Sequence, residues 1–442
     1  MLHSPSEKRA LDAHFPRSPH LLGAVGLIGV LVLTGCGRAA DAGVAESTDT
    51  VDDSAARGTV SLWAPDGDAK VLEDVLAPFL AENPDLDLEI TLVPETEYET
   101  KLRSAIAAGT GPDVAQLYPE TEPQFIETRA FAPVPDGLVD ESSFFMGAWE
   151  SGLQDGVAYS VPWYSYTYAL VYRADIARAA GVEAPATWDA MVPFLEGLQS
   201  GGAVHGLGAD IGWDKYSGQT LAQFLWQAGG ELTSADGSAW TLDTPEMVAA
   251  IEYNASFFTS GTADLDGPQF LDAQPYFVQG RTAATITGPW VIGQLDEVAG
   301  QEGWTEENVA TAPLPAGEGG STGALAGGSW GVLADSDASD AAWKLIRHMA
   351  EEETQLAQYA AYGSMPAVEA AWSDPAIADQ PLLDAFFTQL QDARTYPAST
   401  TWPQVATQLG AEIEQVAKGR KTAAAAAADI QSFADALGTG AE

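Results

Sequence analysis

Residues Thr59–Leu92 read TVSLWAPDGDAKVLEDVLAPFLAENPDLDLEITL, which is the pattern of a strand, a helix and a second strand. Thr59–Ala64 is a short apolar run that predicts a buried strand. Apolar residues at helical spacing then predict a helix over Ala69–Asn83, which Pro84 ends. Leu86–Leu92 alternates apolar and polar residues and predicts the second strand.

The same rhythm continues along the chain. A second helix is predicted from about Glu97 to Ala108, ending at Gly109, and a buried strand follows at Val114–Leu117. Strands that alternate with helices are typical of a doubly wound α/β layer. Further helices are predicted over Thr187–Ser200, Gln219–Ala228, Pro245–Ser260, Ala341–Ala361, Gln404–Ala417 and from Ala423 onwards. The chain has 442 residues, which suits two or three domains rather than one core.

An aromatic strand is predicted at Val161–Arg173, VPWYSYTYALVYR. At a period of two, Tyr164, Tyr166 and Tyr168 share one face of this strand, and Trp163 lies on the other face. A buried strand is ordinarily built from Val, Ile and Leu, which need no hydrogen-bond partner. Three tyrosines in this pattern therefore indicate a face that meets water or a ligand.

Composition excludes several functions. The formal charge of −44 argues against nucleic acid and against anionic substrates, because phosphates would be repelled. Three of the five histidines lie before residue 21, and neither His205 nor His348 has the spacing of a metal ligand. There is no phosphate loop, nucleophile elbow or dinucleotide fingerprint. The sequence therefore predicts neither a cofactor nor a metal site.

The first 35 residues have the pattern of a signal peptide. Lys8, Arg9 and Arg17 precede the apolar run Leu21–Leu33, which is shorter than the about 20 residues of a membrane span. The run closes at Leu33-Thr34-Gly35-Cys36, and Cys36 is the only cysteine of the chain. This ending resembles the bacterial lipoprotein signal, which implies cleavage after residue 35 and a lipid on Cys36. Residues 36–57 are small, polar and acidic, and we expect them to form a disordered tether.

A set of motifs gives the chain a family resemblance. Taken together and in order, they resemble the extracellular solute-binding proteins of bacterial ABC importers, in the carbohydrate-binding family that includes maltose-binding protein. The motifs are AAGTGPDVAQL (107–117), GVAYSVPW (156–163), ALVYR (169–173), APATWDAM (184–191), LWQAGGEL (225–232), PYFVQGRTAATITGPWVIGQL (275–295), APLPAG (312–317) and GGSWGVLADSDASDAAWKLIRHMA (327–350).

The resemblance implies a type II periplasmic-binding-protein fold, which is α/β with two lobes, a hinge that the chain crosses three times and a cleft between the lobes. The crossings are expected near residues 164–167, 310–313 and 363. Residues 58–164 plus 312–362 would form lobe 1, and residues 165–311 plus 363–442 would form lobe 2. The aromatic strand would then lie where one lobe passes into the other, with its tyrosines facing the cleft.

The resemblance also implies a function without chemistry. Such a protein captures a neutral sugar or oligosaccharide by closure of the lobes and delivers it to the permease subunits of an ABC importer. With a lipid on Cys36, it would sit on the outer face of the bacterial cytoplasmic membrane. Its partners would be the sugar, the permease and the membrane.

Candidate ligand-binding residues follow from what sugars offer. Their C–H faces stack on flat aromatic rings, and their hydroxyl groups need donors and acceptors. Trp290 is the first candidate, because Gly288-Pro289 forms a turn after a predicted strand and the family places a stacking ring there. The other candidates lie near the expected cleft or after strand ends. They are Asp66, Asp68, Tyr118, Glu120, Tyr164, Tyr166, Trp213, Asp214, Tyr216, Trp330 and Trp402.

Alternative functions stay open at this point. Aromatic rings with many carboxylates are also typical of secreted glycosidases, which cleave sugars with a carboxylate pair. A purely structural surface lipoprotein is a third hypothesis. The ligand is open as well, because the resembled family includes proteins that bind polyols and phosphate esters. Arg173 and Lys215 are the basic residues near the expected cleft that would suit an anion.

Overall fold

The computed structural model describes residues 50–440 of the chain, with gaps at residues 210, 269 and 398. The predicted signal peptide and Cys36 lie outside the described residues. Within these residues the chain forms a mixed α/β structure with two main sheets.

The strands are short, and several of them directly precede or follow a helix in the chain. They are β1 (Gly58–Pro65), β2 (Leu86–Val93), β3 (Val114–Leu117), β4 (Leu153–Gln154), β5 (Val157–Ala158), β6 (Val161–Tyr166), β7 (Ala169–Arg173), β8 (His205–Gly208), β9 (Thr282–Thr287), β10 (Val309–Ala312), β11 (Gly323–Ala324), β12 (Ala326–Val332) and β13 (Ala393–Arg394).

The helices vary from one turn to more than four. They are α1 (Asp66–Val75), α2 (Ala77–Glu82), α3 (Tyr98–Ala108), α4 (Glu122–Ile126), α5 (Met146–Ser151), α6 (Ala174–Ala180), α7 (Trp188–Ser200), α8 (Lys215–Gln227), α9 (Pro245–Thr259), α10 (Gln274–Val278), α11 (Trp290–Ala299), α12 (Trp304–Asn308), α13 (Ser339–Met349), α14 (Glu352–Tyr362), α15 (Pro375–Ala378), α16 (Asp384–Leu390), α17 (Trp402–Ala417) and α18 (Ala423–Leu437). Short 3₁₀ helices occur at Glu95–Glu97, Glu141–Ser143, Phe270–Ala273, Glu369–Ser373 and Pro381–Leu383.

Each main sheet defines a lobe. The first lobe is built on a five-stranded sheet in the order β2-β1-β3-β12-β6, in which β1 pairs in parallel with β2 and β3. The second lobe is built on a four-stranded sheet in the order β10-β7-β9-β8. In β1 the alternate residues Val60, Leu62 and Ala64 have no exposed surface, which is the pattern of a strand that buries a core face.

Burial of apolar side chains forms separate cores on the two lobes. In the first lobe, Leu62, Leu72 and Trp343 belong to a core of strands β1 and β12 with helices α1 and α13. In the second lobe, helices α7, α8, α9, α17 and α18 pack around a larger core with residues such as Leu221 and Leu409. Burial on this scale is the main stabilising contribution to each lobe.

The chain passes between the two sheets at definite places. Strand β6 belongs to the first sheet and β7 to the second, so one passage lies at Thr167-Tyr168. A second lies between β10 of the second sheet and β12 of the first. The exact lobe boundaries inferred above, including a third passage near Gly363, stay a prediction.

The end of the predicted tether needs a correction. Ala56 is buried, and its amide donates to the side chain of Asn83 at 2.6 Å. Asp52 forms an ion pair at 2.7 Å with Lys344 of helix α13, and the Lys344 side chain is almost fully buried. The segment from residue 51 onwards therefore lies against the first lobe, because α13 offers cations that pair with its acids.

The helices give no candidate for a membrane span. Among those of residues 50–440, none combines the length and the apolar character that crossing a bilayer requires.

Candidate ligand-binding cavity

A cavity of about 880 Å³ lies among residues of both lobes. Its first-lobe wall comes from the segments that follow β2 and β3, where Tyr118 and Glu120 lie. Its second-lobe wall comes from the start of helix α8 and from the end of β9 with the start of α11. The volume falls within the range of about 300–1,000 Å³ that is usual for small-molecule sites.

Four aromatic side chains form one cluster on the cavity wall, which we call the ring cluster: Tyr164, Tyr166, Tyr168 and Trp290. The rings of Tyr164 and Tyr166 are nearly parallel, with centroids 6.3 Å apart. Trp290 meets Tyr166 edge to face at 5.1 Å and Tyr168 edge to face at 6.1 Å. All four side chains are only half-buried, so each keeps part of its ring open to the cavity.

The alternation predicted for the aromatic strand is confirmed. Trp163, Ser165 and Thr167 are buried at 2% exposure or less, whereas the tyrosines between them are half-buried on the cavity side. The Thr167 hydroxyl donates to the Ala324 carbonyl at 2.8 Å, so a polar group on the buried face is satisfied within the fold. The strand therefore presents its rings to the cavity and its opposite face to the core.

The local chain conformation positions Trp290. Strand β9 ends at Thr287, and Gly288-Pro289 leads directly into helix α11, of which Trp290 is the first residue. The indole folds back over Gly288, where a Cβ atom would overlap the ring. Gly288 therefore allows the ring to approach its own backbone closely at the cavity wall.

Three carboxylates line the first-lobe wall. Glu95 accepts a hydrogen bond from the Tyr118 hydroxyl at 2.7 Å, and Glu99 accepts one from Thr121 at 2.6 Å. Glu120 is half-buried, and burial raises the pKa of its carboxyl, with the charges of Glu99 and Glu95 adding to the increase. These groups can accept hydrogen bonds from the hydroxyl groups of a ligand.

The amino end of helix α8 supplies the polar part of the second-lobe wall. Asp214 caps this helix, because its side chain accepts from the amide of Tyr216 at 2.9 Å. The ammonium group of Lys215 lies 4.9 Å from the ring centroid of Tyr216, which is an exposed side chain. Gln219 and Gln223 continue the same helix face into the cavity.

The cavity brings together seven of the side chains expected from the sequence. They are Tyr118, Glu120, Tyr164, Tyr166, Asp214, Tyr216 and Trp290. They come from four separate stretches of sequence, so their assembly depends on the tertiary fold.

Four of the expected residues lie elsewhere. Trp330 and Trp402 are each 1% exposed, in the first-lobe and second-lobe cores respectively, so neither ring reaches the cavity. Tertiary packing explains both positions. Trp330 of β12 packs against Trp163, and Trp402 stacks on Tyr396 at 5.0 Å.

Trp213 and Asp66 also lie outside the cavity lining. Trp213 is tilted against Phe258 at 5.4 Å and packs on the second-lobe core. Asp66 begins helix α1 and accepts from the Glu95 amide at 3.2 Å, so it organises the loop that carries Glu95. The side chain of Asp68 and the whole of Cys36 lie outside the described residues.

Several residues that line the cavity are not among those expected from the sequence. Glu95 and Glu99 follow β2, and the only signal for them was their place after the carboxyl end of a strand. Gln219 and Gln223 are four residues apart on one helix face with Lys215, a spacing that could have revealed them. Tyr168 belongs to the predicted tyrosine face but is not among the residues expected to bind the ligand.

The side chains offer little to a metal ion. Within the described residues no group of three or more His, Cys, Asp and Glu side chains has the arrangement of a metal site.

Comparison with known proteins identifies the family. A family model described as bacterial extracellular solute-binding protein matches residues 64–356 of this chain. The maltotriose-binding protein of Pyrococcus abyssi is 24% identical over 378 residues, which cover 83% of this chain and 79% of that protein.

Solved structures agree with this match. The sugar-binding protein MalE of Xanthomonas citri superposes with a TM-score of 0.79 at 26% identity, covering 86% of this chain and 97% of that one. The GacH receptor of Streptomyces glaucescens superposes with a TM-score of 0.73 at 24% identity, and the superposition covers 98% of the GacH chain. At this identity the similarity concerns the fold alone. The expected type II two-lobed fold is thereby confirmed. The chain belongs to the bacterial extracellular solute-binding protein family.

Proposed function

We propose that this chain captures a neutral sugar or oligosaccharide in the cavity between its lobes and delivers it unchanged to the permease of an ABC importer. The ring cluster is the observation that carries the proposal. Its flat faces suit the C–H faces of sugar rings, and carboxylate, amide and hydroxyl groups beside it suit the sugar hydroxyls.

Capture is proposed to proceed by closure of the two lobes. The lining residues come from both sheets, so a ligand that fills the cavity gains contacts to both walls only when the walls approach each other. A ligand of this kind shifts the population towards the closed form by its difference in affinity for the two forms. We propose that the lobes move about the places where the chain passes between the sheets, at Thr167-Tyr168 and between β10 and β12, together with a third passage near residue 363.

Membrane attachment is a separate part of the proposal. The apolar run Leu21–Leu33 and the sole cysteine at position 36 support cleavage of a signal peptide and lipidation of Cys36. The protein would then work on the outer face of the cytoplasmic membrane. Metabolic labelling with a fatty-acid analogue tests this: the wild-type chain should be labelled and Cys36→Ser should not. Equal labelling of both would refute the anchor.

A panel of sugars tests the central part of the proposal by thermal shift. The panel contains mono-, di- and oligosaccharides, including maltotriose because a relative is named for binding it. A ligand present at 100 times its dissociation constant should stabilise the protein by about 2.7 kcal/mol. Failure of every sugar, with a shift from a polyol or a phosphate ester instead, would refute sugar binding.

The glycosidase alternative is tested with the same ligand. We expect the bound sugar to be recovered intact and in stoichiometric amount after prolonged incubation. Release of shorter products by the purified chain would instead indicate a carboxylate pair at work.

A further inference from the structure

The charges that line the cavity are unbalanced. Among the described residues that line it, four carboxylates, those of Glu95, Glu99, Glu120 and Asp214, face one ammonium group, that of Lys215. In the part of the chain that the structure describes, no Lys or Arg lies within 4.0 Å of any of the four carboxylates. The cavity is thus an aromatic site with a surplus of negative charge on its walls.

The surplus is concentrated on the first-lobe wall. Glu95 and Glu99 are held by hydrogen bonds from Tyr118 and Thr121, so their carboxylates are fixed in position. Glu120 lies between these two partners in the chain and is half-buried. Burial, followed by the charges of Glu99 and Glu95, raises the pKa of Glu120, so gathering negative charge here has a free-energy cost in the ligand-free protein.

Lys215 balances only part of the negative charge of these carboxylates. It belongs to the opposite wall, where its ammonium group lies over the Tyr216 ring. Its charge lowers the pKa of Glu120, but less than burial and Glu99 raise it. One ammonium group against four carboxylates leaves three formal negative charges around the ligand position.

We infer that this cavity binds a saccharide carrying a protonated amine more tightly than the same saccharide with a hydroxyl group at that position. The inference rests on the proposed sugar-binding function and extends its ligand range to amino sugars. An ammonium group beside Glu95, Glu99 and Glu120 forms charge-assisted hydrogen bonds, which are stronger than those of a neutral hydroxyl. The tyrosine and tryptophan faces of the ring cluster also attract a cation.

Matched sugars test the inference by isothermal titration calorimetry. The probes are glucosamine, galactosamine and mannosamine, each against its neutral parent and its N-acetyl derivative, and the β-1,4 trimer of glucosamine against cellotriose. We expect the best-bound amine to exceed its neutral parent by about tenfold, equivalent to about 1.4 kcal/mol. The N-acetyl derivative should lose this advantage, and added salt should reduce it because the charges are partly exposed.

Variants locate the effect on the first-lobe wall. Glu99→Gln and Glu120→Gln should each reduce the ratio of amine to neutral affinity several-fold. Glu97→Gln is the matched control, because Glu97 lies in the same segment, is exposed and pairs with Lys101 at 2.8 Å outside the cavity lining. It should keep the wild-type ratio.

Two outcomes overturn the inference and are distinguishable from each other. If neutral sugars bind as tightly as their amino counterparts or more tightly, charge selection is refuted while sugar binding stands. If neither class binds at any concentration tested, the proposed function is refuted together with the inference.

Discussion

Single side chains show why the aromatic strand is rich in tyrosine. Tyr164 and Tyr166 both line the cavity and combine a flat ring with a hydroxyl group, and the Tyr164 hydroxyl accepts from the Gln116 side chain at 3.5 Å. Valine in either place would offer neither a flat face nor a polar group. Trp163, which directly precedes Tyr164 in sequence, is buried at 1% exposure, so aromatic type alone does not decide which rings reach a ligand.

Trp290→Ala should weaken sugar binding by at least about 2 kcal/mol, or about 30-fold, because the indole lines the cavity and packs edge to face against both Tyr166 and Tyr168. Calorimetry with the best sugar of the panel measures the change. Trp304→Ala is the control, since Trp304 packs under the Arg173 guanidinium at 5.0 Å outside the cavity lining and should leave the affinity unchanged. An unchanged affinity of Trp290→Ala would remove this ring from the site.

Glu122 is a fully buried carboxyl that does not line the cavity. Burial raises its pKa from 4.5 to about 7, against hydrogen bonds from Ser160, Ser329 and Ser151 that lower it. The unfolded chain therefore releases this proton before the folded chain does. Stability conferred by the protonated group is complete below pH 4.5 and falls as the pH rises towards 7.

Glu122→Gln should remove this pH dependence, which is worth about 3 kcal/mol between the two pKa values. Urea unfolding across that pH range measures the free energy of unfolding. The difference between variant and wild type should grow as the pH rises. Glu141→Gln, at an exposed position, should keep the wild-type slope. A Glu122→Gln slope equal to that of wild type would contradict the prediction.

Helices and strands were predictable where the local pattern was strong. Val114–Leu117 agrees with β3 at both ends, and the helix predicted over Thr187–Ser200 begins one residue later. The helix predicted over Ala69–Asn83 is instead two helices that meet at Leu76, and Ala341–Ala361 is likewise divided near Ala350. Apolar periodicity continues through such breaks, so it cannot locate them.

Strand β12 packs closely against strand β6 at a glycine. Gly327 has a φ of +153°, and a Cβ atom on it would overlap the carbonyl oxygen of Tyr164. The register between the two strands shifts at the next step, between Gly328 and Ser329. Close approach of the two backbones here sets the position of the strand that carries the tyrosines.

Gly327→Ala should therefore lower the free energy of unfolding by about 2 kcal/mol and weaken sugar binding as well, because β6 must move. Gly293→Ala is the control: it lies in helix α11 with no atom within 4 Å of a Cβ, and it should stabilise by up to about 1 kcal/mol. Urea unfolding and calorimetry measure the two effects. A Gly327→Ala protein with wild-type stability would contradict this packing.

The chain as a whole was predictable in class but not in its site. Alternating strands and helices with the ordered motifs gave the two-lobed fold and Trp290. They ranked Trp290 first but did not exclude Trp330 or Trp402, because all three follow short stretches that contain glycine, serine or threonine, and only core packing determines which ring is buried. The glutamates of the first-lobe wall were hidden among 63 acidic residues.

Small-angle X-ray scattering with and without the best sugar of the panel tests most directly whether the ligand is held between two moving lobes. The radius of gyration should fall when saturating sugar is added to the wild-type chain, and Trp290→Ala should need about 30-fold more sugar for the same fall. A wild-type radius that does not change while calorimetry records stoichiometric binding would contradict capture by closure.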